Sequence, residues 1–550
     1  LKGDAAANAF GALSKNVLLV VAVLLAAFFL GSIIFGAYLN YSPVPMTDTW
    51  TGMVDFYVRS KEDPLVWWEQ HNEHRIFFSK LLFWLDMRYF AGSGLLLIPV
   101  NIILLSSVWW ALAAFANRLV EFSSFRERTV FFGVLGLLCL SWMQNQNIIF
   151  SFQSMFILVF LFPLLSFYFF ARAVEARSHV LLWFSLSLFF GAASAHCMAN
   201  GVFALPMLAW LSWYSKGSRR LSLIVLACAV ASLAVFLVGY KKTLGGAQGI
   251  AILQAEPLHV IGFVLAYLGG PFYVIFHKIE AAMIAGGAAV ALAVYFFLRR
   301  SVYQSQPYAL ALLAYVGYVF ATAGMTALGR TLFGYSFAMS SRYQTPTLIM
   351  WAALLILLLS RCRRVAPWPG VALVVIAALL LPVQMRALRL STDSILQTPQ
   401  IRAVAGLALQ LGIHDVGAKN VLVLFYNEHD EAVFQRARQN KAALFSERYA
   451  YPANQIGTPL QEAGGEPCSG QITFHRLVDD GRAAYKVGGT LAPGSAETFR
   501  YILFGDAQGV VKGVAIPGRD KDGEAGAAAA LNFDGYVFAQ PDSAGMRCIR

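Results

Sequence analysis

The chain has 550 residues, 58% of them hydrophobic and only 13% charged, with 42 Lys+Arg against 30 Asp+Glu. A soluble domain typically carries about 25% charged residues, so a wholly soluble fold is excluded. The charge is also segregated: the first 390 residues hold 27 basic and 13 acidic side chains, the last 160 hold 15 and 17. Basic residues that flank apolar runs serve membrane topology, which removes nucleic-acid binding as the reason for the formal charge of +12.

In chain order, the apolar run 17–39 is too long for a signal-peptide core and lacks a clean cleavage site, so it reads as an uncleaved anchor. The polar stretch 40–93 follows, with seven of the acids that precede the tail: Asp48, Asp55, Glu62, Asp63, Glu69, Glu73 and Asp86. Within it Ile76, Phe77, Phe78, Leu81, Leu82 and Leu85 recur at helical spacing beside Trp67, Trp68 and Trp84, predicting an amphipathic helix over 67–90 along the outer membrane surface. A solvated face accounts for a single acid there. The dense run His71-Asn72-Glu73-His74-Arg75 asks for more, because a face made only for water has no need of two imidazoles.

Further apolar runs lie at 95–115, 130–142, 155–170, 180–193, 202–213, 221–240, 281–298, 308–328, 345–359 and 371–388. Several fall short of the roughly 20 residues that a bilayer requires and must extend into their flanks. The segment 257–277 is apolar but interrupted by Leu268-Gly269-Gly270-Pro271. If it does not cross, Lys15, Arg118, Arg172, Arg219, Arg299 and Arg361 share one side, the cytoplasm, with Lys241-Lys242 left outside. That gives about eleven spans, an inward N-terminus, an outward C-terminus and a re-entrant 257–277. The polar runs 144–153 and 196–200 fall in outer loops and are costly at membrane depth unless they face protein or water. His196 and His259 read as locally hydrogen-bonded.

Arg330 and Arg342 flank the last outer loop with almost no acid near them in sequence. Two such guanidinium groups require an anion. Lipid head groups reached by snorkelling are one source, and the phosphate of a lipid-linked substrate, gripped by the planar fork of arginine, is another.

The tail predicts a helix at 401–411, a buried strand at 421–426 and a helix at 430–440, then short strands at 472–477, 484–487, 499–504, 510–516 and 535–539. The expectation is an α/β start leading to a small β-sandwich or other β-rich lobe. Asn427-Glu428-His429-Asp430 reads as a helix-capping turn. Cys468 and Cys548 are the only two cysteines of the tail, and in an exported, oxidising compartment they pair as a disulfide.

A first span followed by an exported loop with Asp48-Thr49-Trp50, the run His71-Asn72-Glu73-His74-Arg75, about eleven spans, Ser341-Arg342-Tyr343 and an exported tail together resemble the GT-C superfamily of membrane glycosyltransferases, in an uncharacterised bacterial branch. The stretch 508–513 resembles the tail of the same group. The resemblance implies an all-α transmembrane catalytic domain over 1–390, with exported loop 40–93 and re-entrant segment 257–277, and a periplasmic or extracytoplasmic domain over 391–550. It implies a multi-pass protein of the bacterial inner membrane that moves a sugar from a polyprenyl-phosphate carrier to a cell-envelope glycan, glycolipid or protein, with inversion. Asp48 is then the expected base, with Asp55 and Glu73 as alternatives. Arg330, Arg342 and Tyr343 are expected to bind the donor phosphate, and His71, Asn72, His74 and Arg75 to orient substrate.

Chemically, a carboxylate takes the acceptor proton, and cations stabilise a phosphate that leaves without a general acid. No Walker A loop or dinucleotide fingerprint is present. No cofactor is firmly implied. A divalent metal is possible through His71, Glu73 and His74, although the zincin order is absent. The alternative is a flippase or transporter of lipid-linked glycans, or a glycan polymerase. Transporters often carry paired repeats, and the acidic loop has no second copy here.

Overall fold

The computed structural model describes residues 2–215, 219–241, 244–361, 368–390, 397–423, 426–449, 451–492, 499–518, 531–538 and 545–549. Lys242 and Cys362 lie outside them. The chain forms two compact units, one made of 1–39, 68–81 and 97–389, the other of 40–67, 82–96 and 390–550.

The first unit is a helical multi-span membrane region. Among the described residues eight helices are long and apolar enough to cross a bilayer: Asn16–Leu39, Leu97–Leu119, Ser151–Glu175, Arg219–Leu237, Ile279–Leu298, Pro307–Phe333, Ser341–Leu359 and Trp368–Leu388. A ninth span results if Gly249–Ala255 and Pro257–Leu268, bent by 114° against each other, count as one. The figure of about eleven also counted three runs that fall on the shorter helices Phe125–Cys139, Val180–Ser194 and Ala204–Tyr214, of 15, 15 and 11 residues. The break expected in 257–277 is present, with Pro257–Leu268 ending at Gly269 and a new helix, Gly270–Phe276, starting at once. A Cβ on Gly269 would meet the Ala282 carbonyl oxygen at 1.8 Å, so only glycine permits this approach to Ile279–Leu298.

Buried polar groups cross-link the spans. The Gln384 side chain accepts from the Trp142 amide at 2.8 Å and donates to Ser32 Oγ at 2.8 Å, joining the first and last spans. In a low-dielectric interior such bonds fix register because the alternative is an unsatisfied amide.

The amphipathic helix expected over 67–90 begins ten residues later, as Phe77–Phe90. Upstream, Pro64–Trp67 is a 3-10 turn, and His71 and His74 exchange two backbone hydrogen bonds of 2.8 Å around Asn72 and Glu73. Asn72 takes a φ of 48°, which asparagine tolerates.

The second unit ends in a β-sheet domain. Strands β1 (Glu466–Pro467), β2 (Gly470–Asp479), β3 (Ala484–Leu491), β4 (Tyr501–Gly505), β5 (Val511–Pro517), β6 (Asn532–Val537) and β7 (Gly545–Ile549) form one antiparallel sheet in the order β1-β7-β4-β5-β6-β3-β2. Its core is Val487, Leu491, Ile502, Phe504, Ala515, Phe533, Val537 and Cys548. Cys548 is joined to Cys468 by a disulfide, with Cα atoms 5.8 Å apart. The stretch 508–513 closes the β4–β5 hairpin, where Asp506 Oδ1 accepts from the Gln508 and Val510 amides.

Before the sheet come the helices Pro399–Leu411, Val416–Leu422 and Glu428–Gln439. The strand expected over 421–426 is not formed among the described residues: Val421 and Leu422 close a helix, and residues 424–425 lie outside the description. An apolar run this short does not by itself separate strand from buried helix. Asn427 caps Glu428–Gln439 through a reciprocal capping box with Asp430. The same unit holds the strand-free segment 40–67, where Trp50 packs edge-on against Phe434 with ring centroids 4.8 Å apart and the Thr47 amide donates to the Leu422 carbonyl at 2.6 Å.

Candidate active site

In the membrane unit the two arginines expected to act alike have different surroundings. Arg330, at the end of Pro307–Arg330, donates from Nη2 to Glu73 Oε1 at 2.8 Å, and both side chains are about one third exposed (32% and 29%). The expectation that neither guanidinium has an acid is corrected here: the partner lies 257 residues away in sequence.

Arg342 has no such partner among the described residues. Its Nε is buried without a hydrogen-bond acceptor. Its guanidinium lies over Phe337 (5.0 Å), Tyr343 (5.2 Å) and Phe156 (6.0 Å), and Tyr343 is itself buried. An aromatic frame stabilises the cation through its ring faces without neutralising it.

The turn that carries Arg342 is held by the polar run 144–153. Ser341 Oγ donates to Asn145 Oδ1 at 2.6 Å, Asn147 Nδ2 donates to the Arg342 carbonyl at 2.8 Å and to Thr345 Oγ1 at 2.7 Å, and Thr345 Oγ1 donates to Gln144 Oε1 at 2.5 Å. Gln144, Gln146, Asn147 and Gln153 are all buried. Of the two environments expected for this run, protein or water, Gln144 and Asn147 face protein, as the scaffold of the Arg342 turn. The polar composition at membrane depth was the signal, and the partner that it serves was not readable.

The run 71–75 also divides by role. Arg75 is a clamp: it is buried, donates to the carbonyls of Trp68, Phe236 and Val238, and stacks over Trp68 at 5.1 Å. Those carbonyls include the end of Arg219–Leu237, where a helix gathers partial negative charge. His74 Nδ1 accepts from the Ala199 amide at 3.2 Å, so the neutral ring carries its proton on Nε2, which faces Glu73 Oε1 at 3.8 Å. The His71 ring lies 5.2 Å from Phe152.

At Glu73, burial works to raise the carboxyl pKa. His74 when protonated and the Arg330 charge outweigh it, helped by a backbone hydrogen bond and by His71, and the carboxyl is held below its ordinary value. His196, expected to be locally satisfied, has a buried Nδ1 without a partner among the described residues. Burial, then the nearby Arg75 charge, pushes its imidazole down, so it is neutral at pH 7. His259 lies against the Tyr335 ring at 4.5 Å.

Asp48, Asp55 and Asp86 belong to the second unit. Asp55 is buried and committed: Oδ1 accepts from Arg436 Nε at 2.7 Å, and Arg59 lies 3.6 Å from Oδ2. Asp86 is fully buried and accepts from the Gly94 and Leu96 amides at 2.8 and 2.9 Å. Asp48 is half-buried in a strained setting. Thr47 before it takes a φ of 45°, an outlier for a β-branched residue, and the chain continues into a π-helical turn, Trp50–Asp55.

A metal does not fit His71, Glu73 and His74, because Arg330 already holds the Glu73 carboxylate and the Ala199 amide holds His74 Nδ1. Among the described residues no three His, Cys, Asp or Glu gather in an arrangement that could hold an ion.

Fold and composition thus define a multi-pass membrane protein with a separate C-terminal β-sheet domain. No family model and no curated protein matches the chain. Among solved structures it is similar to the Archaeoglobus fulgidus oligosaccharyltransferase crystallised in complex with Zn and sulfate, at TM-score 0.40 and 13% identity over 74% of this chain. The match covers 57% of that protein, so the chain spans little more than half of its length.

Proposed function

We propose that the protein is a membrane glycosyltransferase of the GT-C kind that its sequence resembles, taking sugar from a polyprenyl-phosphate carrier for a cell-envelope glycan, glycolipid or protein acceptor on the outer membrane face. The observation that carries this reading is Arg342: a cation in an aromatic frame, with a buried Nε lacking an acceptor among the described residues. A charged donor left unpaired costs several kcal/mol when desolvated, and a phosphate oxygen is the acceptor that matches its planar fork.

Asp48 supplies the base in this reading. The backbone strain at Thr47 supports it, since of order 1–3 kcal/mol is retained at such positions mostly where function requires it. Asp55 is a structural acid, locked to Arg436. The acceptor hydroxyl attacks the anomeric carbon, its proton passes to Asp48, and the bond from that carbon to the phosphate oxygen breaks with its electron pair left on the phosphate.

The test is to incubate the purified full-length protein with several polyprenyl phosphosugars and candidate acceptors and measure donor consumption. Wild type should consume one donor class, and Arg342→Ala should weaken donor binding and slow turnover together, by at least tenfold. Movement of intact donor across a vesicle membrane without its consumption would instead establish the transporter reading.

A further inference from the structure

Arg330 poses a question that Arg342 does not: its charge is already met. The Glu73 carboxylate binds it at 2.8 Å, on a two-residue turn fixed from both sides by the His71–His74 backbone pair and by the Arg75 clamp. Gln70 adds a further anchor, accepting from the Lys241 amide and donating to the Lys241 carbonyl, both at 2.9 Å. The carboxylate is therefore presented by a rigid support, and at about one third exposure the pair is open to a competing anion.

We infer that Glu73 is a displaceable counter-anion for Arg330, which a carrier phosphate replaces on binding and which recaptures Arg330 to release the spent carrier. The inference rests on the proposed polyprenyl-phosphate chemistry and adds a role that neither arginine has by itself. Before transfer the donor is a phosphodiester with one negative charge. Afterwards the same phosphorus is a monoester, whose second ionisation near pH 6 brings it close to two. An arginine site without an internal competitor therefore holds product more tightly than substrate and stalls. A carboxylate fixed within 2.8 Å of Arg330 offsets that bias, and His74 Nε2, 3.8 Å from the same Glu73 oxygen, gives the displaced carboxylate a second partner.

The test measures binding of polyprenyl monophosphate to the full-length protein in lipid nanodiscs, alongside single- and multiple-turnover rates. Glu73→Gln removes the competing charge and keeps the shape. Monophosphate should bind about three- to tenfold more tightly, as expected for loss of a partly exposed ion pair, and the ratio of multiple- to single-turnover rate should fall. In an Arg330→Gln background the same change should have no effect on binding, and Glu73→Ala should repeat the tightening if the amide itself perturbs folding. Monophosphate binding to Glu73→Gln that is unchanged or weaker than wild type overturns the inference. Failure of wild type to bind any polyprenyl phosphate instead overturns the functional reading on which it rests.

Discussion

Asp48 and Asp55 lie seven residues apart and are chemically identical, and the proposed mechanism gives them different work. Asp55 is buried and paired with Arg436 and Arg59, so Asp55→Asn strips a buried charge contact and should lower stability by about 1–3 kcal/mol, a range set between exposed and buried pairs because Arg436 is 38% exposed. On the proposed mechanism, Asp48→Asn should abolish transfer. Thermal melts and donor-consumption assays on both variants check this, and equal loss of activity at equal stability would remove the distinction. Sequence alone could nominate these acids but not sort them. The partners that decide the matter, Arg436 for Asp55 and Arg330 for Glu73, lie 381 and 257 residues away in the chain.

At the scale of elements, the apolar spans were legible because hydrophobic length is a local property. The start of Phe77–Phe90 was not: apolar spacing continues upstream through Trp67 and Trp68, and what breaks the helix is Arg75 reaching the Phe236 carbonyl, a tertiary contact. The segment 421–426 failed for a related reason, since Val421 and Leu422 suit a buried helix end as well as a strand. Asn427 was legible, because capping is written in neighbouring residues. Asn427→Ala removes the hydrogen bonds to the His429 and Asp430 amides and should cost about 1 kcal/mol, seen as an earlier unfolding transition of the C-terminal domain.

For the whole molecule, the Cys468–Cys548 bond closes a loop across a sequence separation of 80 and joins the residue just after β1 to β7. A chain-entropy treatment gives about 4 kcal/mol for a loop of this size, so Cys468→Ser should lower the unfolding midpoint of the sheet domain markedly. The bond also reports orientation. With the tail outside the cytoplasm, both thiols should resist alkylation in denatured, unreduced protein, and free, readily labelled thiols would place the tail in a reducing compartment.

The second unit is woven from three pieces of chain, 40–67, 82–96 and 390–550, and about 300 residues of membrane helices are synthesised between the second piece and the third. At about 5–20 residues per second, that is roughly 15–60 s of translation during which Trp50 and Asp55 have been made and Phe434 and Arg436 have not. The first two pieces must therefore wait, incomplete, until the third is made. The isolated fragment 390–550 shows the same dependence in reverse. By hydrogen exchange its disulfide-closed sheet should be protected, because the core residues 487–548 are all present. Its helix Glu428–Gln439, deprived of Trp50 and Asp55, should exchange far faster than in the full chain, and equal protection there would mean that the early pieces are passengers rather than a template.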